Sequence, residues 1–345
     1  MDKYNDFSSL LSSYFLKHLP SHTGYSRNTV SSYRDTFVLL FRYHEQVYGK
    51  KASTIQFSCI TKEYIEAFLV WLETERSYTV SSRNQRLAAI HAFFRYVLMD
   101  NPAYMEQCRS VLGIRLKKAE KTPVDYISIQ GIRLLLEMPD CMGSAGRRDL
   151  ALLALMYDSG ARVQEIADLR TGDIQLQKPY TVKVTGKGNK TRIVPLMPQT
   201  ANIIKNYLSD TKQISAEVPL FYSHSGKKLT RAGIAYILKK YVQLAREQNP
   251  VLYPDKVSPH TLRHSKGMHL LEGGVNLVYI RDFLGHSSIT TTEIYARANP
   301  EIKRKAIEEA SASILPKEKF DRQEKADLIA WLKAVSYTHL TLPTT

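Results

Sequence analysis

Apolar positions along the first third of the chain recur at helical spacing. Val30, Tyr33, Phe37, Leu40 and Phe41 form one stripe, and Tyr64, Ile65, Phe68, Leu69 and Leu72 form another. Each stripe keeps one side of a 3.6-residue turn apolar, so each predicts an amphipathic helix. The flanking residues agree. Thr61 stands where the second helix needs an N-cap, Ser81-Ser82 precedes a helix with Leu87, Ile90, Phe94 and Val97, and Asn101-Pro102 stops it. No strand pattern interrupts them, which predicts four or five helices up to about residue 112. The segment Leu116-Lys117-Lys118-Ala119-Glu120-Lys121-Thr122-Pro123 then loses periodicity, gains charge and ends in proline, as an interdomain linker does.

Beyond it the pattern is mixed. Helices are predicted around Ile129 to Met138 and Arg147 to Ser159. Two β-branched runs, Tyr180 to Thr185 and Thr191 to Leu196, flank Gly186-Lys187-Gly188-Asn189 and predict an antiparallel hairpin. Helices resume near Gln199 and run to Ala310, broken at Pro219, Pro250, Pro254, Gly273-Gly274 and Gly285. There is no internal repeat. The predicted fold class is mainly α with a small antiparallel β-sheet, an α+β arrangement in two domains. The expected boundaries are residues 1–114, a linker over 115–123, a second domain over 124–316 and a C-terminal amphipathic helix over 317–335 with Leu328, Ile329, Trp331 and Leu332. Residues 336–345 carry four threonines and neither helical nor strand logic, and are expected to be a non-native tail.

Charge narrows the partner. The 345 residues hold 48 Lys and Arg against 33 Asp and Glu, a formal net charge of +15. Self-repulsion of that size points to an anionic partner, nucleic acid or an acidic membrane surface. The longest apolar run, Leu150 to Tyr157, is too short to span a bilayer, and the first six residues lack the apolar core of a secretory signal. A soluble cytosolic protein is therefore expected. Cys59, Cys108 and Cys141 are scattered and odd in number, which fits small buried or half-buried residues better than a disulfide framework or a zinc knuckle.

The candidate chemistry lies in the second domain. In Ser258-Pro-His-Thr-Leu-Arg-His-Ser265, Ser258 is a good N-cap and Pro259 a good first helical residue. His260 then falls in the first turn, where free N–H groups favour an anion, with Arg263 one turn later on the same face. Gly273-Gly274 ends this helix, a short one follows from Asn276 to Leu284, and Gly285 with His286 forms its C-terminal turn. Thr290 and Glu293 fit a capping box whose helix carries Tyr295 in its first turn. Upstream, Arg162 follows the small-residue break Ser159-Gly160-Ala161 with Glu165 three residues on, the carboxylate a buried guanidinium needs. The hairpin turn presents Lys187, with Lys190 close behind.

Taken together these segments resemble the tyrosine recombinases of the phage integrase family. SGARVQEIADL, TGKGNKTRIVP, HTLRHSKGMHLL and LGHSSITTTEIYAR occur in that order, with family-like separations, across residues 158–297. Each motif alone is a weak signal; six dispersed positions agreeing in type, order and local structure make a specific one. The N-terminal half resembles the family's SAM-like core-binding domain more loosely. The resemblance implies a two-domain DNA clamp in which Tyr295 is the nucleophile and Arg162, Lys187, His260, Arg263 and His286 surround the scissile phosphate, with Glu165 supporting. His286 stands where some members use tryptophan.

The implied roles suit the residue types. Arg162 and Arg263 would pair with the non-bridging oxygens while staying charged. His260 would act as general base or proton relay, His286 as a donor to phosphate, and Lys187 would protonate the departing 5′ oxygen. A 3′-phosphotyrosyl product conserves the bond energy, so no metal, ATP or other cofactor is expected. The implied partner is double-stranded DNA, held by a homotetramer in the synaptic complex that assembles from monomers or dimers. A helix over Glu301 to Ser313 would pack into a neighbouring protomer. The implied location is the cytoplasm, at the nucleoid, for integration, excision, transposition or resolution.

Competing readings remain beside it. His260 and His264 at i,i+4, with His286, could hold zinc, but Thr261 stands where the H-E-x-x-H motif has its glutamate, and the arginines would be unexplained. His264, outside the matched set, is expected to pack or cap. Arg83, Arg86 and Arg95 share a helix whose other face is apolar, and read equally as phosphate contacts or a solvated face; Phe93, Phe94 and Trp71 read as core. A DNA-binding module that no longer cleaves, or a type IB topoisomerase acting as a monomer, would share much of the pattern.

Overall fold

In the first unit the helical stripes close on one another because their buried members are large and aromatic. The computed structural model describes residues 6–21, 24–119, 124–211, 215–286, 288, 291–298 and 330. By contacts the chain divides into two compact units, Met1–Thr122 and Pro123–Thr345. The first contains α1 (Asp6–Ser13), which continues through a π-helical turn into α2 (Leu19–Ser21), then α3 (Arg27–Tyr48), α4 (Lys62–Thr74), α5 (Val80–Asp100) and α6 (Met105–Leu112). Side-chain caps start three of them: Ser26 accepts from the Thr29 amide, Thr61 from Tyr64 and Thr79 from Ser82. Thr79, rather than the Ser81-Ser82 pair, thus opens α5. Phe37 meets Phe93 edge-on at 5.2 Å, and Phe7, Phe57, Phe68 and Phe94 complete a core that also takes Trp71.

The second unit is built around α8 (Ser144–Ser159), which follows α7 (Ile129–Glu137). Ala151 to Met156 are all buried, so this run is apolar around its whole circumference because neighbours surround it. After α9 (Val163–Asp168) come β1 (Ile174–Gln175), β2 (Thr181–Thr185) and β3 (Thr191–Pro195), an antiparallel sheet in the order β1-β2-β3. The expected hairpin is β2–β3, with Thr185 opposite Thr191 and Val182 opposite Val194. β1 was not expected, because two residues are too few to show an alternation. α10 (Pro198–Thr211), α11 (Arg231–Gln248), α12 (Pro259–Glu272), α13 (Leu277–Leu284) and α14 (Glu293–Ala298) complete the unit. The fold class is therefore the predicted one, mainly helical with a small antiparallel sheet.

One expectation changes. Cys108 is buried, but Cys59, at the end of a single 3-10 turn, and Cys141, in the turn before α8, are exposed free thiols rather than buried or half-buried residues. The helices predicted over 301–313 and 317–335 and the tail over 336–345 lie outside the described residues, apart from the helical backbone of Ala330. Among the described residues, no helix is long and apolar enough to cross a membrane.

Candidate active site

The site is assembled from four separated segments, each positioned by a local device. α12 begins with a reciprocal box: the Thr261 amide donates to Ser258 Oγ, and the Ser258 amide donates to Thr261 Oγ1 at 3.1 Å, with Pro259 in the first turn. This start fixes the azimuth of His260, exposed at the rim, and of Arg263, only 3% exposed. Arg263 donates through Nη1 to the Gly160 carbonyl and through Nη2 to the Leu284 carbonyl, both at 2.6 Å, so it ties the ends of α8 and α13 to α12.

Gly160 permits this junction. It has φ 55°, and a Cβ there would meet Leu284 Cδ2 at 2.7 Å, so both backbone sign and space require glycine. A buried ion pair braces the same turn: Lys266 Nζ lies 3.1 Å from Asp158 Oδ1, Asp158 Oδ2 accepts from the Met197 amide, and the ammonium sits 5.2 Å above the Tyr157 ring.

Arg162 opens α9. Its amide and Nη1 both donate to Glu165 at 2.8 Å, and Nη2 reaches the Gly285 carbonyl at 2.9 Å. The predicted Arg162–Glu165 pair has a third member that sequence reading missed. Arg192 on β3 donates through Nη2 to Glu165 Oε2 at 2.8 Å and through Nε to the Phe283 carbonyl at 3.0 Å. The available signal was alternation, since Arg192 shares its strand face with buried Val194. Burial pushes the Glu165 carboxyl up, but hydrogen bonds from Arg192 and the Arg162 amide outweigh it and hold it below the usual range. One carboxylate thus serves two guanidinium groups, with Arg263 close enough to feel both signs. The surplus is positive, which is the electrostatic condition for an anion site.

Arg162 and Arg192 border a cleft of about 880 Å³ that is also lined by Lys190, Gly285, His286 and the neighbouring pair Arg281 and Asp282. Lys190 is exposed there. Lys187 lies in the helical turn Lys187–Asn189 at the hairpin tip, and its side chain is outside the described set. His286 follows the left-handed Gly285, and its Nδ1 lies 2.9 Å from Thr292 Oγ1. Burial, then Arg263 and Arg162, push its imidazole down to about 4. His260 is lowered in the same way, by the protein around its base and then by Arg263 and Arg162.

Tyr295 sits in the first turn of α14 as expected; Thr290 of the expected capping box lies outside the described residues, and α14 starts at Glu293. The tyrosine is fully buried, with its ring near-parallel to His286 at 6.3 Å. Burial raises its phenol to about 12, against the partial opposition of Arg263 and Arg162. Its oxygen lies 3.0 Å from Nδ1 of His264. His264 is therefore neither a plain packing residue nor a cap: it is half-buried and bonded to the hydroxyl of Tyr295. His260, His264 and His286 do not form a metal-holding set, and among the described residues no group of three or more His, Cys, Asp or Glu does.

The N-terminal arginines separate. Arg83 is 5% exposed and donates to Asn84 Oδ1 and the Arg115 carbonyl. Arg86 is half-buried and donates to Ser32 and Thr36 of α3, and Arg95 is exposed.

Comparison with known proteins gives the class. The phage integrase family matches residues 127–301, and its N-terminal SAM-like domain matches residues 13–100. The chain belongs to the phage integrase family, the tyrosine recombinases. It is 36% identical to integrase/recombinase y4rC of Sinorhizobium fredii over 90% of this chain and 93% of that protein. It is 34% identical to tyrosine recombinase XerD of Staphylococcus epidermidis, over 84% of this chain and 95% of that one. Its fold matches the Tn1549 transposon integrase, solved in complex with transposon right-end DNA. That match has a TM-score of 0.69 at 14% identity and covers 87% of this chain and 99% of the other.

Proposed function

We propose that this protein is a site-specific recombinase that cleaves and rejoins duplex DNA through a 3′-phosphotyrosyl intermediate on Tyr295. The observation that carries this reading is the convergence of Arg162, Arg263 and His286 beside a buried tyrosine, from segments up to 133 residues apart. Attack on a phosphodiester builds negative charge on the non-bridging oxygens, and the surplus positive charge around Glu165 is already oriented to receive it. Arg162 and Arg263 take those oxygens. His286 is held neutral; with Thr292 at Nδ1 it offers Nε2–H to the phosphate. His260, at the open rim, relays the phenolic proton, and Lys187 protonates the departing 5′ oxygen from the hairpin tip. The phosphotyrosyl bond stores the energy of the broken one, so the reverse attack by a 5′-hydroxyl needs neither ATP nor metal.

In this reading residues 124–316 are the catalytic domain, residues 1–114 bind the core site, and the exposed Arg95 and Lys190 contact phosphate. The DNA-bound state of the Tn1549 relative supports duplex DNA as the partner, and strand exchange calls for four protomers on two duplexes. Incubation with a pool of nicked or phosphorothiolate duplexes, without divalent metal, tests the chemistry. A 3′ adduct mapping to Tyr295, lost in Tyr295→Phe with DNA binding kept, is expected. DNA binding that is identical in both proteins, with no adduct from either, would sink the proposal in favour of a non-cleaving module. Relaxation of supercoils with no exchange between marked duplexes would replace it with a topoisomerase.

A further inference from the structure

The hydroxyl end of Tyr295 rests on one ridge of α12. His264 and Gly267 are three residues apart and so adjacent on the helix surface, and the phenol lies across both. Nδ1 of His264 is 3.0 Å from the phenolic oxygen. A Cβ on Gly267 would fall 2.6 Å from Tyr295 Cζ and 3.0 Å from its oxygen, closer than real contacts allow, so the ring fills the place a side chain would take. The same helix carries His260 and Arg263. The element that would hold the phosphate therefore also holds the tyrosine oxygen, and no flexible segment intervenes between them.

The bond joins two neutral groups, and Nδ1 accepts from the phenol when the imidazole carries its proton on Nε2. Burial, then His260 and Arg263, push His264 down to about 4, while the Tyr295 phenol stands at about 12. The imidazole is thus neutral and the phenol protonated at neutral pH, so the resting pair is not a tyrosinate–imidazolium ion pair. A base of that strength does not store the proton. It can accept a hydrogen bond, and a phenol that donates toward His264 turns an oxygen lone pair away from the ring.

On the reading that Tyr295 is the nucleophile, we infer that His264 is its positioning residue: Nδ1 accepts the phenolic hydrogen bond and, with the space left by Gly267, seats the attacking oxygen on the helix that carries Arg263. His264 has no part in proton storage, and the relay remains with His260.

The test is single-turnover adduct formation on trapped duplexes at saturating DNA, with DNA affinity and thermal unfolding measured on the same full-length proteins. His264→Ala is expected to slow adduct formation at least tenfold while DNA affinity stays at the wild-type value and the protein, somewhat less stable for the unpaired hydroxyl, stays folded at the assay temperature. His264→Asn, whose amide oxygen reaches the place of Nδ1, is expected to recover most of the rate. Gly267→Ala is expected to slow the reaction by displacing the ring, again with affinity kept. Adduct formation at the wild-type rate in His264→Ala overturns the inference but leaves Tyr295 as nucleophile. His264→Asn as slow as His264→Ala also overturns it, since the imidazole would then be acting as more than an acceptor. An absence of adduct from wild type itself removes both the functional reading and this inference.

Discussion

Arg83 in the first unit and Arg263 in the second are almost equally hidden, at 5% and 3% exposure, yet their surroundings differ in sign. Burial lowers both. Around Arg83 the neighbouring charges are the carboxylates of Glu73 and Glu66, which favour its cation, and its hydrogen bonds run to Asn84 and the Arg115 backbone. Around Arg263, after burial, the strongest neighbouring charge is another guanidinium, Arg162; Glu165 and Tyr295 oppose it, Arg192 adds to it, and the balance brings Arg263 down to about 10. A buried cation balanced by its own domain is structural. One left among other cations, with Glu165 shared between Arg162 and Arg192, is set for an anion from outside. The distinction rests on charge balance, not on burial, and it can be broken from either side.

The largest effect is expected where a buried pair would be left half-made. Lys266→Ala strands Asp158 beneath the Gly160 turn, and removing one partner of a buried pair costs about 3–5 kcal/mol. Urea unfolding of the second unit should show a loss of that size. A much smaller loss would mean that Asp158 is held by the Met197 amide alone. Arg263→Ala is expected to lower the rate of covalent adduct formation by about 10²–10³-fold, the usual cost of removing one preorganised donor to a developing oxyanion. Arg83→Ala should leave that rate unchanged and instead lower the unfolding temperature. If Arg83→Ala slowed cleavage at saturating DNA as much as Arg263→Ala does, the contrast between the two arginines would fail.

These contrasts explain how much was legible beforehand. Ser258, Pro259, Arg162 and Glu165 act within four residues of their partners, so capping and pairing rules place them directly. The hairpin was legible because Val182 and Val184 alternate with exposed Lys183; β1 is too short to alternate and acquires its strand geometry only by pairing with β2. Arg192 could have been flagged by its strand face, but its carboxylate lies 27 residues upstream and was assigned to Arg162. His264 carried no local signal: its partner is 31 residues away and reaches it only after α13 reverses the chain. The arginines of α5 stood between two readings for a related reason. A three- to four-residue spacing says that Arg83 and Arg86 share a side of the helix, not whether another segment covers that side, and α3 and the chain near Arg115 do so.

A smaller effect follows from the burial of two histidines, to which the neighbouring positive charges add. His264 and His286 lie near 4 in the folded chain against an ordinary value of 6.5. As pH falls the unfolded chain takes up these protons first. Stability is therefore full above about pH 6.5 and declines as pH falls toward 4, because the unfolded state binds more protons in that window. Unfolding temperatures measured from pH 7.5 to 4.5 should fall, and His286→Asn should flatten the slope by up to one proton. A flat profile in wild type would show that the cluster does not oppose imidazolium.

The smallest expected effect is the most direct probe of the charge imbalance, because it needs neither DNA nor chemistry. An anion that binds only the folded site stabilises by RT ln(1 + [L]/Kd), about 0.4 kcal/mol when its concentration equals Kd. Inorganic sulfate titrated at constant ionic strength should therefore raise the unfolding temperature of wild type by a degree or two, with saturation. The rise should vanish in Arg162→Ala and persist in Arg83→Ala. General salt exclusion strengthens burial everywhere and would raise all three proteins together without saturating. A saturating rise confined to proteins that keep Arg162 assigns the anion to the cleft. An equal, unsaturated rise in all three would mean that Glu165 already balances the cluster, and the difference drawn between Arg83 and Arg263 would then be one of location alone.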